Sequence, residues 1–515
     1  MNKRSTQSGV ISSILGGWSD LQNMGSAGEF LASLGIDPED NLELTKASGV
    51  IAPSRFSKFS GGQLTSAPMW ISGAATSAGV FVLGMDGSLI AYSSTLGSET
   101  DLGNPNSSGA SGNGMAVWND YVYCALDTTI ARWGQVSATG GAFTTDYWVS
   151  GLSMSALTNS QYPGTRSVDF PNHVLYPHND GRMYVLDYDG ANGRIHSFTT
   201  DANGTNGSGR FNDVTLPPGL MPMAAAPYGT DIAVVCSPAA LYVTGDIPKP
   251  GNALLAFWDG IPTHTPYRYV PINEPMATAI ANKNGELYIW AGNIDTEVKV
   301  LKYLGGYSFE TVATIPDSSP PPAGAVDSSG NMLAWGGYTT YPTTAAGVFT
   351  VGFRSGKLPG ASVQHIARST SVGTLPIVSA MKFIQRNRAP VIGWQDGTPT
   401  YGIDKRAGSG SYNSIFRSLP ILLGRKFIVR RLVIPLSSNV QAGVIITPTI
   451  YVDNETASTD LTVINSTNFA SNETSIDLQG LTVTGNHSFY VQFAFTGTQE
   501  IGIMLPVYYE YDFID

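Results

Sequence analysis

From about Gly61 the apolar residues fall in short runs, paired around tight turns and separated by Gly/Ser/Thr-rich connections. Asp86-Gly87 divides Val80–Leu83 from Leu89–Tyr92, Asn119-Asp120 divides Met115–Trp118 from Tyr121–Cys124, and Asp180-Gly181 divides His173–Tyr176 from Met183–Leu186. The signal returns at Gly229-Thr230, Asn284-Gly285, Ser329-Gly330 and Asp396-Gly397. Asn-Gly and Asp-Gly supply the positive φ angles that a two-residue hairpin needs, so the flanking runs are read as strands for a physical reason. Successive turns lie roughly 50 residues apart, the spacing of a β-propeller in which each small sheet buries its faces against its neighbours. The expectation is an all-β chain with a seven-bladed propeller over residues 61–410. Six or eight blades, and an irregular β-sandwich with coincidental hairpins, stay open.

Two flanking regions read differently. Residues 1–60 carry a helix-like pattern between Val10 and Leu34, broken by Gly16, Gly17 and Gly25, and predict a short, partly helical arm. Ile11, Ile14, Leu15, Trp18, Leu21, Phe30, Leu31 and Leu34 are too few to build a core of their own. They are read as a docking arm for a neighbouring subunit, with padding beneath the chain's own propeller as the alternative. Residues 411–515 alternate with period two: Phe489, Val491, Phe493 and Phe495 against Tyr490 and Gln492, then Val507, Tyr509, Tyr511 and Phe513 against Glu510 and Asp512. This predicts a separate antiparallel β-sandwich or jelly roll, separable by proteolysis near Gly408–Ser411.

Charge sharpens that boundary. Ten Lys and Arg lie between 382 and 431, none follow Arg431, and nine acids occupy the remainder. Arg386, Arg388, Lys405, Arg406, Arg425, Lys426, Arg430 and Arg431 are a candidate interface for an acidic neighbour, such as another copy's last domain, or else a solvated neck. A net charge of −11 disfavours general nucleic-acid binding. No apolar run is long enough for a membrane-spanning helix, and the opening residues do not match a secretory signal. Cys124 and Cys236 sit in apolar runs and read as buried thiols.

Phosphate loops, zinc-protease helices, paired-cysteine metal sites and nucleophile elbows do not occur, so neither catalytic residues nor a cofactor are assigned. His173 and His178 are assigned to packing and solvent. Asp187–Gly193 has the oxygen-rich, Gly-turned look of a calcium loop, without the closing Glu, and equally that of a plain turn. A glycoside hydrolase would need facing carboxylates, for which Asp169, Asp187, Asp231, Glu274 and Glu286 are candidates. Asp327-Ser-Ser-Gly330 loosely matches an Asp-box turn. Trp118, Trp290, Trp335 and Trp394 read as packing between blades, whereas Trp133, Trp148 and Trp258, in more polar surroundings, are a candidate glycan platform.

Ala47–Ser60 with Ala67–Ile71, and at the far end Leu423–Leu436, Ile450–Asp453, Ile464–Phe469 and Leu505–Tyr511, resemble a group of tailed-bacteriophage virion proteins. The resemblance implies a non-enzymatic structural component of the tail or tail tip, made in the bacterial cytoplasm and residing in the virion. It implies other tail proteins, further copies of the chain and a host surface glycan as partners. A carbohydrate-binding receptor module and a glycan-cleaving propeller enzyme are the alternatives.

Overall fold

A computed structural model describes residues 6–11, 17–18, 29–34, 43–44, 50–51, 64, 66–73, 79–93, 99–105, 112–126, 129–136, 141–148, 173–188, 192–199, 208–238, 252–261, 264–294, 296–329, 332–339, 345–352, 360–365, 377–384, 390–395, 401–406, 414–453, 457–496 and 502–514. The chain is all-β and folds as a β-propeller of four-stranded antiparallel units.

The first unit is Pro68–Gly73, Val80–Gly84, Leu89–Tyr92 and Glu99–Gly103. The second is Gly114–Trp118, Tyr121–Ala125, Ile130–Gly134 and Ala142–Trp148. The third is Leu175–Pro177, Met183–Tyr188, Asn192–Thr199 and Ser208–Pro218. The fourth is Leu220–Tyr228, Asp231–Pro238, Leu254–Trp258 and Arg268–Pro271. The fifth is Met276–Lys283, Glu286–Asn293, Glu297–Gly305 and Ser308–Pro316. The sixth is Val326–Ser329, Met332–Thr339, Ala345–Gly352 and Gly360–His365. The last has Ile377–Phe383, Pro390–Gln395 and Tyr401–Arg406, and takes its outer strand, Val50–Ile51, from the first 60 residues.

The turns behave as the sequence requires. Gly87, Gly181, Gly229 and Gly285 have φ between 62° and 87°, and Asn119 and Asp120 take the left-handed region at 46° and 64°. Ser329-Gly330 and Asp396-Gly397 extend outside the described residues.

The gaps between successive units are filled by apolar clusters. Phe81, Leu83 and Leu89 meet Val122, Cys124 and Trp133, and the next gap joins Tyr123 and Trp148 to Val185 and Phe198. The pattern continues until Val378 and Trp394 of the last unit meet Met332 and Ala334. Ile71, Val80 and Val82 then pack with Ala380, Val391 and Ile403, which closes the ring. Ser379 Oγ seals the junction by donating to Pro68 O at 2.5 Å. Burial of each large apolar side chain contributes about 1.5–3 kcal/mol, so the ring is held mainly by these gaps.

The remaining described strands form a four-stranded sheet, an extension of the sixth unit's sheet, and a two-stranded ribbon of Glu43–Leu44 with Ile503–Met504. Gln7–Ile11, Val507–Phe513, Phe427–Pro435 and Ser475–Gly485 lie side by side in that order. Ser414–Ser418, Ser488–Phe495, Ile446–Val452 and Ala457–Asp460 make the second, which continues through Glu29–Leu34 into the outer strand of the sixth unit. One core joins Phe427, Leu432, Ile450, Phe489 and Val507 to Trp290, Trp335 and Phe349 of the fifth and sixth units. Composition shifts near residue 411, but the sheet and the core run past it. Tyr490 and Gln492 are buried too, because Arg417 covers that face: it donates to Gln492 Oε1 and lies 4.5 Å from the ring of Tyr451, which stacks on Tyr490.

The arm is not helical where it is described. Residues 7–11, 17–18, 29–34, 43–44 and 50–51 are strands, and they pair within this chain. A Gly/Ser-rich stretch has weak helix propensity, while nearby sheet edges offer partners for its backbone groups. Ile11 is half-buried against the shared core; Trp18 and Phe30 fall in strands; Ile14, Leu15 and Leu21 lie outside the described residues. The pairing supports the intramolecular alternative for these strands.

Candidate binding cup on the ring axis

The inner strands narrow toward the axis, and small side chains such as Ala225 and Ala281 let them approach. Between them lies a cavity of about 300 Å³. Tyr176, Pro227, Asn282, Ser328 and Lys382 line it, each next to the last residue of its inner strand. The cup therefore opens on the face carrying the hairpins that lead to the second strands.

Its floor is made by Trp70 and Ala323. Ala323 belongs to a short 3₁₀ turn, Ala323–Ala325, preceded by the buried segment Ser318–Pro322. Thr278 Oγ1 ties this segment down by donating to Pro321 O at 2.6 Å. Gly324 lies against Met69 O and the Trp70 ring, where a Cβ would be 2.6 Å from the carbonyl oxygen.

The polar wall is an ion pair. Lys382 Nζ lies 3.1 Å from Asp327 Oδ1, and Asp327 Oδ2 accepts from Phe383 N at 2.8 Å. Asp327 thus sits in a strand and fastens the sixth unit to the last, a role unlike an Asp-box turn. Asn282 is committed to the fold: its Nδ2 donates to Pro227 O at 2.6 Å and its Oδ1 accepts from Gly285 N at 3.0 Å. Burial, with the nearby Asp180 carboxylate, raises the Tyr176 phenol above its ordinary value.

On the same face, hairpins of the fourth and fifth units expose an apolar rim. Ile261 is 48% exposed, Tyr267 60%, Leu304 56% and Tyr307 72%. Gly305 and Gly306, at φ 96° and 62°, make the turn that presents Leu304 and Tyr307. Arg268 donates to Gly306 O and holds its guanidinium 5.6 Å from the Tyr307 ring. Tyr267 donates to Asp231 Oδ2 at 2.6 Å; burial and that carboxylate push its phenol up to about 12.

The buried chemistry lies elsewhere. His173 Nε2 is 3.0 Å from Asp187 Oδ1 and His196 Nε2 3.1 Å from Asp187 Oδ2, all three groups being nearly inaccessible. His173 Nδ1 reaches Leu126 O at 3.2 Å and Asn113 Nδ2 at 3.4 Å, so the network spans the gap between the second and third units. Burial opposes ionisation of Asp187, yet the two imidazole hydrogen bonds hold its carboxyl well below the usual range. Both of its oxygens thereby have imidazole partners inside the fold; Asp189 lies outside the described residues. His178 is also largely covered, beside Asp180 at 3.3 Å and against Tyr176 and Tyr184, and not in solvent.

The Trp platform does not form. Trp133, Trp148 and Trp258 are buried in three different gaps. Trp148 is stacked between Tyr123 and Phe198 at 4.9 and 4.4 Å, and Trp258 meets Tyr184 edge-on at 5.3 Å. Polar neighbours such as Arg132 and Asp146 share the strands of Trp133 and Trp148, while the Trp rings are buried between sheets. Trp290, Trp335 and Trp394 do pack in the gaps, Trp290 against Trp335 at 5.9 Å, and Trp118 is half-buried against Trp148.

The basic set is dispersed, and its strongest members are satisfied in the chain. Strand register sets Arg431 opposite Glu510, and its guanidinium lies 2.9 Å from that carboxylate and 2.8 Å from Asp477. Arg430 pairs with Asp512 at 2.9 Å. These two are accordingly withdrawn as contacts for an acidic neighbour. Arg425 covers the Phe513 ring at 3.5 Å and Lys426 is exposed. Lys405 and Arg406 lie on the strand that pairs with Val50–Ile51, and Arg386 and Arg388 lie outside the described residues. The candidate carboxylates are separated and individually engaged: Asp231 by Tyr267, Glu274 by Lys299 at 2.8 Å, and Glu286 by Lys302 at 2.6 Å, with Asp169 outside the described residues.

No family model matches the chain, and no curated protein matches it. Among solved structures, the β-propeller domain of Cps50 (Swd1) from Myceliophteria thermophila superimposes with a TM-score of 0.41 at 10% identity, over 66% of this chain and 97% of that one. A chain of the mitotic checkpoint complex gives a TM-score of 0.39 at 11% identity, over 67% and 93%.

Proposed function

We propose that the chain is a non-enzymatic structural component of a bacteriophage virion, in the tail or tail tip, where it docks to other tail proteins and to further copies of itself. On this reading the four-stranded units are seven blades, clasped by Val50–Ile51, and the last two sheets form a β-sandwich built onto the fifth and sixth blades. The exposed rim carries the proposal: Ile261, Tyr267, Leu304 and Tyr307, with Arg268 among them, have the aromatic and Arg composition of protein interfaces. The likeness of Ala47–Ser60 and Leu423–Leu436 to tailed-phage virion proteins supports the virion as the setting.

Mass spectrometry of purified particles tests the setting, since the chain should be present at a fixed copy number after stringent washing. A Tyr267→Ala/Tyr307→Glu variant tests the rim. Removing the exposed Tyr267–Asp231 hydrogen bond costs about 0.5–1.5 kcal/mol, a shift of only about a degree in the melting of a chain of this length. The variant should melt close to the parent and yet be missing from particles. Absence of the parent from particles, or normal incorporation of the variant, overturns the reading.

A further inference from the structure

The axial cup differs in chemistry from the rim. Its lining combines aromatic surface from Trp70 and Tyr176 with the polar groups of Asp327, Ser328 and Lys382. Its volume is at the lower end for a small-molecule site, and a few convergent polar groups over an apolar floor are what fix a ligand's orientation. The Lys382 side chain is 42% exposed and spends one of three donors on Asp327, while the Tyr176 hydroxyl has no hydrogen-bond partner among the described residues.

Charge restricts what fits. The cup holds one cation and one anion 3.1 Å apart, so an anionic ligand is repelled by Asp327 and a cationic one by Lys382. A purely apolar ligand would bury that pair away from water at a cost. A neutral polyol meets both, because each hydroxyl can accept from the ammonium and donate to the carboxylate. If the polyol is a ring, its C–H face can lie on Trp70 or Tyr176 while its hydroxyls face the ion pair.

We propose that the axial cup binds a single neutral pyranose unit of a glycan, with Lys382 and Asp327 reading adjacent hydroxyls and Trp70 and Tyr176 supplying the stacking surface. This site is independent of the rim and of the virion reading, and stands or falls separately.

Ligand-detected NMR tests it on the full chain with methyl glycosides of glucose, galactose, mannose and N-acetylglucosamine, and with methyl glucuronide as the charged contrast. At least one neutral glycoside should show saturation transfer to its ring protons at millimolar concentration, and more strongly than the glucuronide. Loss of a hydrogen bond to a charged group corresponds to roughly tenfold or more in affinity. Lys382→Met should therefore weaken binding by about that factor, Tyr176→Phe less, and Tyr307→Ala at the rim not at all. Tyr176→Phe removes a single oxygen and keeps the assay meaningful if Lys382→Met folds poorly. Silence across the panel, preference for the glucuronide, or binding lost in Tyr307→Ala but kept in Lys382→Met and Tyr176→Phe overturns the proposal.

Discussion

A carboxylate held between two buried imidazoles contributes to stability only while both of its oxygens have donors. Asp187 meets that condition through His173 and His196, and Tyr188 N adds a third donor at 2.7 Å. In Asp187→Asn, one oxygen is replaced by an NH₂ group that faces an imidazole N–H. Leaving such a donor unsatisfied costs about 1–3 kcal/mol, so calorimetry should show a melting temperature lower by about 1–3 °C for a chain of this length. The carboxyl is shifted below its ordinary value of 3.8, so its contribution is fully present above that pH and is lost as pH falls through the folded-state value. The gap in melting temperature between parent and variant should accordingly be flat near neutrality and shrink below pH 3.8; a gap that widened in acid would reverse the assignment. An acid inside the fully buried strand Met183–Tyr188 was a readable sign that partners must exist, but naming them needed the fold. His173 precedes the strand Leu175–Pro177 and His196 lies within Asn192–Thr199, and they meet only in three dimensions. The Trp platform failed for a related reason: polarity of neighbours in sequence says little about a ring whose strand faces the next sheet.

Hairpins were legible at the level of elements because Asn-Gly and Asp-Gly act locally, whereas the arm was misread because its strands have no local cause. Gln7–Ile11 is a strand by virtue of Val507–Ile11 pairing that spans nearly the whole sequence. Gly9 shows how closely it is seated: a Cβ there would overlap the Tyr509 ring. Gly9→Val should therefore destabilise by about 1–3 kcal/mol, as overpacking does. Hydrogen exchange should locate the damage, with faster exchange for amides of Val507–Phe513 and unchanged protection in the second to fourth units. Equal exchange in parent and variant would mean that this strand adds nothing to the sheet. The polar locks are also local in effect and remote in origin: Asp453 accepts from the backbone of Asn486, His487 and Ser488 across a tight turn, and those bonds hold its carboxyl below the usual range although burial acts the other way.

For the molecule as a whole, the recurrence of paired strands and the change in charge near residue 411 could be read from the sequence, but not how the parts are tied. That depends on which edges the first 60 residues reach. Val50–Ile51 completes the last unit, Glu29–Leu34 bridges the sixth unit to Ser414–Ser418, and Gln7–Ile11 covers the edge of Val507–Phe513. Residues 414–514 thus borrow three strands from the opposite end of the chain, Glu43–Leu44 on Ile503–Met504 being the third, and share one core with Trp290, Trp335 and Phe349. Introducing a specific protease site at Gly408–Ser411 and cutting it should leave the two pieces associated, because breaking one peptide bond removes none of these contacts. Size exclusion should show the cut protein eluting with the intact chain, and denaturant should unfold both pieces in one transition with a modest loss of stability from the added chain entropy. A piece comprising residues 411–515 that elutes alone and stays folded would show instead that the borrowed strands and shared core are dispensable, and that the charge boundary in the sequence marks an independent domain.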